Sequence, residues 1–298
     1  MTQSASAPRW LPFLVLGAGL AAISFGAILA RLAQGYGMPS LAIATLRLGL
    51  AALIITPFVL WRSRRTLAAM NRRQALLTLA AGFFLAVHFA TWISSLEYTS
   101  VASSTALVTT NLLWIAIASF VLSGSKPNRL TGIGIAVSLS GSALIFWSDS
   151  SAAGSNPLLG NSLALVGSCC FSAYLLIGRR LRADMPLPVY VWLAYGTAAL
   201  FLLLSCRGAG ITLSGYSAPA YLAALGLALG PQLLGHTAYN WSLKHVSTVF
   251  VAVVTLGEPV GSAALAWIFF AESFAPAQAV GFVLLLGGIY LAARGEKG

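Results

Sequence analysis

Long apolar runs separated by short polar or basic connections fill this sequence from residue 11 to residue 293. Ten can be delimited, at about 11–30, 41–61, 75–96, 101–122, 130–147, 158–178, 187–205, 219–241, 248–270 and 277–293. Each approaches the roughly 17 to 25 residues that carry a helix across a hydrocarbon core of about 30 Å. The runs are continuous rather than alternating, which disfavours a closed β-barrel and leaves helices, whose backbone groups are satisfied within the segment. The pattern therefore predicts an all-α membrane protein of ten transmembrane helices, with no stretch left for a soluble domain. The first run follows Arg9 as a signal peptide would, but it is long and reaches Arg31 without a small-residue cleavage site, so it is expected to be an uncleaved span.

Composition agrees with the pattern. The 298 residues are 58% hydrophobic and only 8% charged, against about a quarter charged in soluble domains, and the mean hydropathy is +0.87. The formal net charge of +11 is spread over connections rather than gathered on one face, which argues for anionic lipid headgroups and against nucleic acid. On the N-terminal side of the ten-span topology lie Arg9, Arg62, Arg64, Arg65, Arg72, Arg73, Lys126, Arg129, Arg179, Arg180, Arg182, Lys244, Arg294 and Lys297. The opposite side has Arg31 and Arg207, so both termini are expected in the cytoplasm. Arg47 falls inside the second run and is expected to snorkel outwards rather than pair with an embedded acid. Cys169, Cys170 and Cys206 suit neither a disulfide framework nor a metal cluster, and no metal or cofactor is expected.

A shift of 147 residues aligns the halves without gaps: Met38-Pro39 falls on Met185-Pro186, Leu96 on Leu243, Gly134 on Gly281 and Gly141 on Gly288. Spans one to five then map onto six to ten. An odd number of spans inverts the second copy, giving two inverted five-helix repeats, 1–149 and 150–298, in one membrane unit. The charges follow the inversion, since Glu97, expected outside, corresponds to Lys244, expected inside. Inverted repeats are typical of secondary transporters, with the substrate near the midplane at the repeat interface.

The least lipid-like feature is Glu258-Pro259, in the middle of "TVFVAVVTLGEPVGSAALAWIFF". Under the same shift Glu258 falls on Asn111 of "TTNLLW", each about ten residues into its run and so about 15 Å deep. Pro259 lacks an N–H and crowds the carbonyl of Thr255, which is expected to be free for a ligand. Thr248, Thr255, Glu258 and Ser262 form one polar stripe. That stripe is either a packing seam with a tolerated kink or a site, and buried ionisable residues favour the site. On the third run Phe84, His88 and Trp92 share a face, as do Gln232, His236 and Tyr239-Asn240 on the eighth. These faces suit either hydrogen bonds within the bundle or the wall of a cavity for an amphipathic solute. Trp114 and Tyr174 could extend such a wall, whereas Tyr98 reads as an interfacial anchor. Gly134, Ser138 and Gly141, with Gly281 and Gly288, predict close packing of the fifth and tenth helices, or dimerisation. A monomer or weak homodimer is expected. No G-x-S-x-G, H-E-x-x-H or Walker loop occurs, and the six acids form no catalytic pair, so an enzyme, including one acting on lipid, is disfavoured.

"SSLEYTSVASSTALVTTNLLW" with "LTGIGIAVSLSGSALIF", and "SLKHVSTVFVAVVTLGEPVGSAALAWIFFAESFAPAQAVGFVLLLGGIYLA", resemble the drug/metabolite transporter superfamily in its ten-helix EamA-like group. Leu-Gly-Glu-Pro matches that group's midmembrane proline position, and Glu272 its acid at the end of the ninth helix. In the first half Leu112 stands where the group usually has proline, which takes away the cause of a matching kink. "NLLW" and the aromatic third and eighth helices are most similar to the YddG-like amino-acid exporters. The resemblance implies efflux of aromatic and other neutral amino acids across a bacterial inner membrane. The implied cavity is lined by the third, fourth, eighth and ninth helices, with help from the first and sixth. Carriers of anionic sugars in the same superfamily need basic groups, and Arg47, placed near one surface, does not supply them, so neutral or zwitterionic solutes are favoured. The expected substrate contacts are His88, Trp92, Asn111, Trp114, Tyr174, His236, Tyr239, Thr255 and Glu258.

Overall fold

The computed structural model describes residues 10–123, 128–148, 155–273 and 275–295. Arg9, Lys126 and Lys297, used above for orientation, lie outside the described residues. Among those described, the regular structure is entirely helical. In chain order the helices are α1 (Leu11–Ser24), α2 (Gly26–Gly35), α3 (Ser40–Arg62), α4 (Arg64–Ala68), α5 (Arg72–Ser95), α6 (Val101–Val108), α7 (Asn111–Ser123), α8 (Arg129–Ser148), α9 (Pro157–Arg182), α10 (Leu187–Gly208) and α11 (Ala218–Leu227). A π-helical turn, Ala228–His236, follows, then α12 (Thr237–Ser242), α13 (Thr248–Val254), α14 (Gly257–Phe270) and α15 (Pro276–Gly295).

Among the described residues eight stretches are long and apolar enough to cross a membrane: Leu11–Gly35, Ser40–Arg62, Arg72–Ser95, Val101–Ala118, Pro157–Arg182, Leu187–Gly208, Ala218–Ser242 and Phe250–Phe270. Within α8 and α15 the segments Arg129–Ile145 and Pro276–Gly288 are apolar as well. Every run read from the sequence is thus helical among the described residues, in one piece or broken. Local signals set the ends. Asn71 and Gln74 close a capping box at the start of α5, which satisfies otherwise orphaned N–H groups. Asn156 accepts from the N–H of Leu159 ahead of Pro157 in α9, a position where the missing proline N–H costs nothing. Arg179, Arg180 and Arg182 sit in the last turn of α9, where cations complement the helix dipole.

Burial is arranged for a lipid solvent. Leu53, Trp61, Phe83, Leu200, Leu204, Trp267 and Val283 are exposed, whereas Arg47, Asn111, Asn161, Gln232, Asn240 and Glu258 are buried. So much outward apolar surface is untenable in water and is the ordinary exterior of a membrane bundle.

The helices pack in a specific set of pairs: α1 on the π-helical turn, α5 on α9, α3 on α10, α6 on α14 and α8 on α15. Glycines permit the closest approaches. A Cβ on Gly141 would lie 2.4 Å from the backbone nitrogen of Leu285, and one on Gly288 would lie 2.5 Å from that of Ser138. The stripe of small residues on the fifth and tenth runs therefore seals α8 against α15 within one chain. Gly141→Ala is expected to cost about 1–3 kcal/mol through overpacking, seen as a lower melting temperature in detergent. Gly132→Ala on the same helix, where an added Cβ meets nothing within 4 Å, is the control that should not lower it.

Candidate functional site

Two spans break at matching points. α6 ends at Val108 and α7 starts at Asn111, while α13 ends at Val254 and α14 starts at Gly257, so the shift of 147 superposes the breaks to within a residue. At the second break the Thr255 carbonyl accepts from the N–H of Glu258 at 3.0 Å. It is therefore not the free acceptor expected from the sequence: the chain tightens into a three-residue bond that uses it. What Thr255 turns towards the other half is its hydroxyl, 2.7 Å from the Ala252 carbonyl and 3.4 Å from Asn111 Oδ1. The first break forms without proline, correcting the expectation drawn from Leu112. Thr109 donates to the carbonyls of Thr105 and Ala106, both at 3.0 Å, and Thr110 lies 2.8 Å from the Leu107 carbonyl and 2.9 Å from Ser168 Oγ. Hydroxyls bonding back to the preceding turn bend helices, and here they replace the imino acid.

Both breaks open onto one narrow crevice of about 20 Å³, lined by His88, Trp92, Asn111, His236, Tyr239, Thr255 and Glu258 together with Ile23, Gly26, Arg47, Val108, Thr109 and Phe171. Seven of the nine residues read from the sequence meet there. Trp114 instead walls two grooves farther out, with Ile117 in both. Tyr174 lies one ring behind the crevice wall. It stacks on Phe171 at 6.0 Å and on Tyr190 at 6.2 Å, and its hydroxyl accepts from Asn240 Nδ2 at 2.6 Å.

The histidines face one another with ring centroids 6.2 Å apart. His88 lies parallel to Trp92 at 6.1 Å and stacks on Phe171 at 4.9 Å. Its Nδ1 is 2.9 Å from the Gly167 carbonyl, and because a carbonyl only accepts, Nδ1 carries the proton. His236 reaches the same point from the π-helical turn that Pro231 interrupts; such turns recur at functional sites because they re-aim side chains.

Arg47 is the largest departure from the sequence reading. It does not snorkel: it is 1% exposed and lines the crevice. Its Nε donates to Gln232 Oε1 at 2.7 Å, and its guanidinium lies 4.0 Å from the Phe89 ring centre and 5.8 Å from that of Trp92. Such stacking is a favourable setting for a desolvated guanidinium. Sequence reasoning missed Phe171, although its three-residue spacing from Tyr174 puts both on one face of α9. It missed Arg47 because depth alone does not say which way a long side chain turns.

Each end of the bundle carries an arginine that holds a connection. At one end Arg31 donates to the carbonyls of Leu96, at 3.0 Å, and Thr99, at 2.7 Å, and pairs with Glu272. The second Glu272 oxygen accepts from the N–H of Val101 at 3.0 Å. At the other end Arg179 donates to the carbonyls of Leu243, at 2.6 Å, and Val246, the positions that correspond to Leu96 and Thr99. Thr99 Oγ1 donates to Asn161 Oδ1 at 2.8 Å. From Asn161 to Arg179 α9 rises about 27 Å at about 1.5 Å per residue, so the two clasps stand at opposite ends of the bundle.

A helical bundle with an apolar exterior and polar side chains buried halfway along its helices is a multi-pass membrane protein. The profile of the EamA-like transporter family matches the chain twice, over residues 9–147 and 158–294, and the chain belongs to that family, within the drug/metabolite transporter superfamily. It is 22% identical over 256 residues to an uncharacterized transporter of Archaeoglobus fulgidus, covering 84% of this chain and 86% of that one. A solved crystal structure of a protein with 19% sequence identity superposes with a TM-score of 0.69, covering 98% of this chain and 100% of the other.

Proposed function

We propose that this protein is a secondary transporter that exports small amphipathic metabolites, foremost aromatic and other neutral amino acids, across a bacterial inner membrane by alternating access. Its ten helical spans form two inverted five-helix repeats, 1–149 and 150–298, with both termini cytoplasmic. The observation that carries the reading is the crevice, where both helix breaks, two histidines and an acid meet between aromatic walls. The crevice is narrow, with room for about one water, so a ring enters only when the repeats separate.

Three features support the repeats. The packing pairs turn into one another when the halves are exchanged: α1 on the π-helical turn becomes α9 on α5, while α3 on α10, α6 on α14 and α8 on α15 each return to themselves. The direction of the first and sixth spans supports the inversion, because Arg31 near the end of the first span and Asn161 near the start of the sixth both reach Thr99. The double family match supports the same division.

Purified protein in liposomes loaded with phenylalanine or tryptophan is expected to take up the labelled amino acid by saturable counterflow. Uptake no faster than in empty liposomes across a panel of neutral amino acids would remove this substrate class.

A further inference from the structure

Arg47 and Glu258 line the same crevice, yet they do not close on each other: among the described residues the ion pair within 4 Å is Arg31–Glu272 alone. A buried guanidinium and a buried carboxyl group that share a cavity without pairing leave hydrogen-bonding capacity unused, which a ligand carrying an anionic and a cationic group would take up. The polar atoms around them are in the same state. Arg47 Nη1, Gln232 Nε2 and Asn111 Nδ2 are all buried without a hydrogen-bond partner, in an interior where such groups are ordinarily satisfied. Arg47 is also held in a fixed attitude, with Nε on Gln232 Oε1 at 2.7 Å and the Phe89 ring 4.0 Å from its guanidinium. The bond leaves the Nη edge of the fork to a ligand, and a planar fork presented edge-on suits a carboxylate.

From this geometry we infer that Arg47, propped by Gln232, is the carboxylate-recognition residue of the crevice, and that the ligand is a zwitterion whose ammonium faces Glu258. The ligand class is an α-amino acid with a free carboxylate and a large apolar side chain, which lies along Trp92 and Phe171. Amines, amino-acid amides and esters of the same size lack the anion that Arg47 awaits. Gln232 acts as a positioning residue, fixing the guanidinium through Oε1. The inference rests on the transport reading above and adds to it the residue that discriminates.

Competition against labelled phenylalanine in proteoliposome counterflow tests it. With the unmodified protein, phenylalaninamide and phenylethylamine are expected to compete at least about tenfold more weakly than phenylalanine, the ratio that one lost charge-assisted bond of about 1.4 kcal/mol produces. Arg47→Gln is expected to weaken phenylalanine by at least about tenfold while leaving phenylethylamine within about twofold, collapsing the discrimination. Arg47→Lys, which keeps the charge and loses the fork, should fall between. Equal competition by amide, amine and amino acid in the unmodified protein overturns the inference even if Arg47→Gln fails to fold. So does an Arg47→Gln protein that weakens all three ligands equally, which marks the arginine as structural. If the unmodified protein moves no amino acid at all, the transport reading falls first and this inference with it.

Discussion

Glu258→Gln protein is expected to fold and to melt within a few degrees of the parent, yet to lose at least about tenfold in amino-acid counterflow. Glutamine has nearly the shape of glutamate, so packing beside Pro259 and the helix break is preserved. What disappears is the one embedded acid of the crevice. Glu258 is the second residue of α14, where a carboxylate is also favoured by the positive end of the helix dipole, typically by about 0.3–1 kcal/mol. Losing that contribution lowers stability slightly. Losing the ionic partner proposed for the ligand's ammonium removes a charge-assisted contact of about 1.5–3 kcal/mol, which exceeds the stability effect and corresponds to roughly tenfold or more in affinity. Counterflow with the parental rate and affinity in the Gln variant would reduce Glu258 to a packing residue at a kink and would remove the acid from the mechanism.

Breaking the clasp at Arg31 is expected to open one end of the bundle. Glu272, just past α14, binds both Arg31 of α2 and the first N–H of α6. Ala271 before it adopts the left-handed conformation, with φ 52° and ψ 28°, a strained state for a residue with a Cβ, costing about 1–2 kcal/mol, that reverses the chain and brings the acid back over the helix ends. Glu272→Gln leaves a half-buried guanidinium without its anion, so a conformation in which Arg31 regains water is favoured by about 1–3 kcal/mol, or roughly tenfold to a hundredfold in population. The measurement is modification of Thr109→Cys in the crevice by a membrane-impermeant thiol reagent, with Cys169, Cys170 and Cys206 replaced by serine. Labelling from the Arg31 side should rise with Glu272→Gln, and labelling from the opposite side should rise with Arg179→Ala. If neither variant changes labelling from its own side, the clasps are ordinary loop anchors and the two-ended picture fails.

Much of this molecule was legible in its sequence, and the boundary of that legibility is physical. The ten apolar runs became helices because a chain in lipid has almost no alternative for its backbone. Glu258, Asn111, His88 and His236 could be picked out because polar residues in such runs are costly enough to need a reason. Leu112 shows where pattern reading stops: it replaced a proline, but Thr109 and Thr110 bend the helix by a different chemistry. Trp114 shows the same limit, since an aromatic residue at the right depth still has to be on the right side of its helix, and α7 turns it towards the outer grooves. Glycine and serine on α8 and α15 were legible as a packing stripe, but only the structure shows that they seal those two helices against each other within one chain.

What the sequence alone determined is the solvent, the helices, the family resemblance and the depth of the polar residues, all of which follow from one-dimensional spacing and transfer energies. Only the tertiary structure decided which side chains meet. Arg47 enters the crevice, the Thr255 carbonyl is already bonded, and Arg31 and Arg179 hold connections at opposite ends, since the rotation of each helix about its axis is fixed by packing against its neighbours and is not written in hydrophobicity.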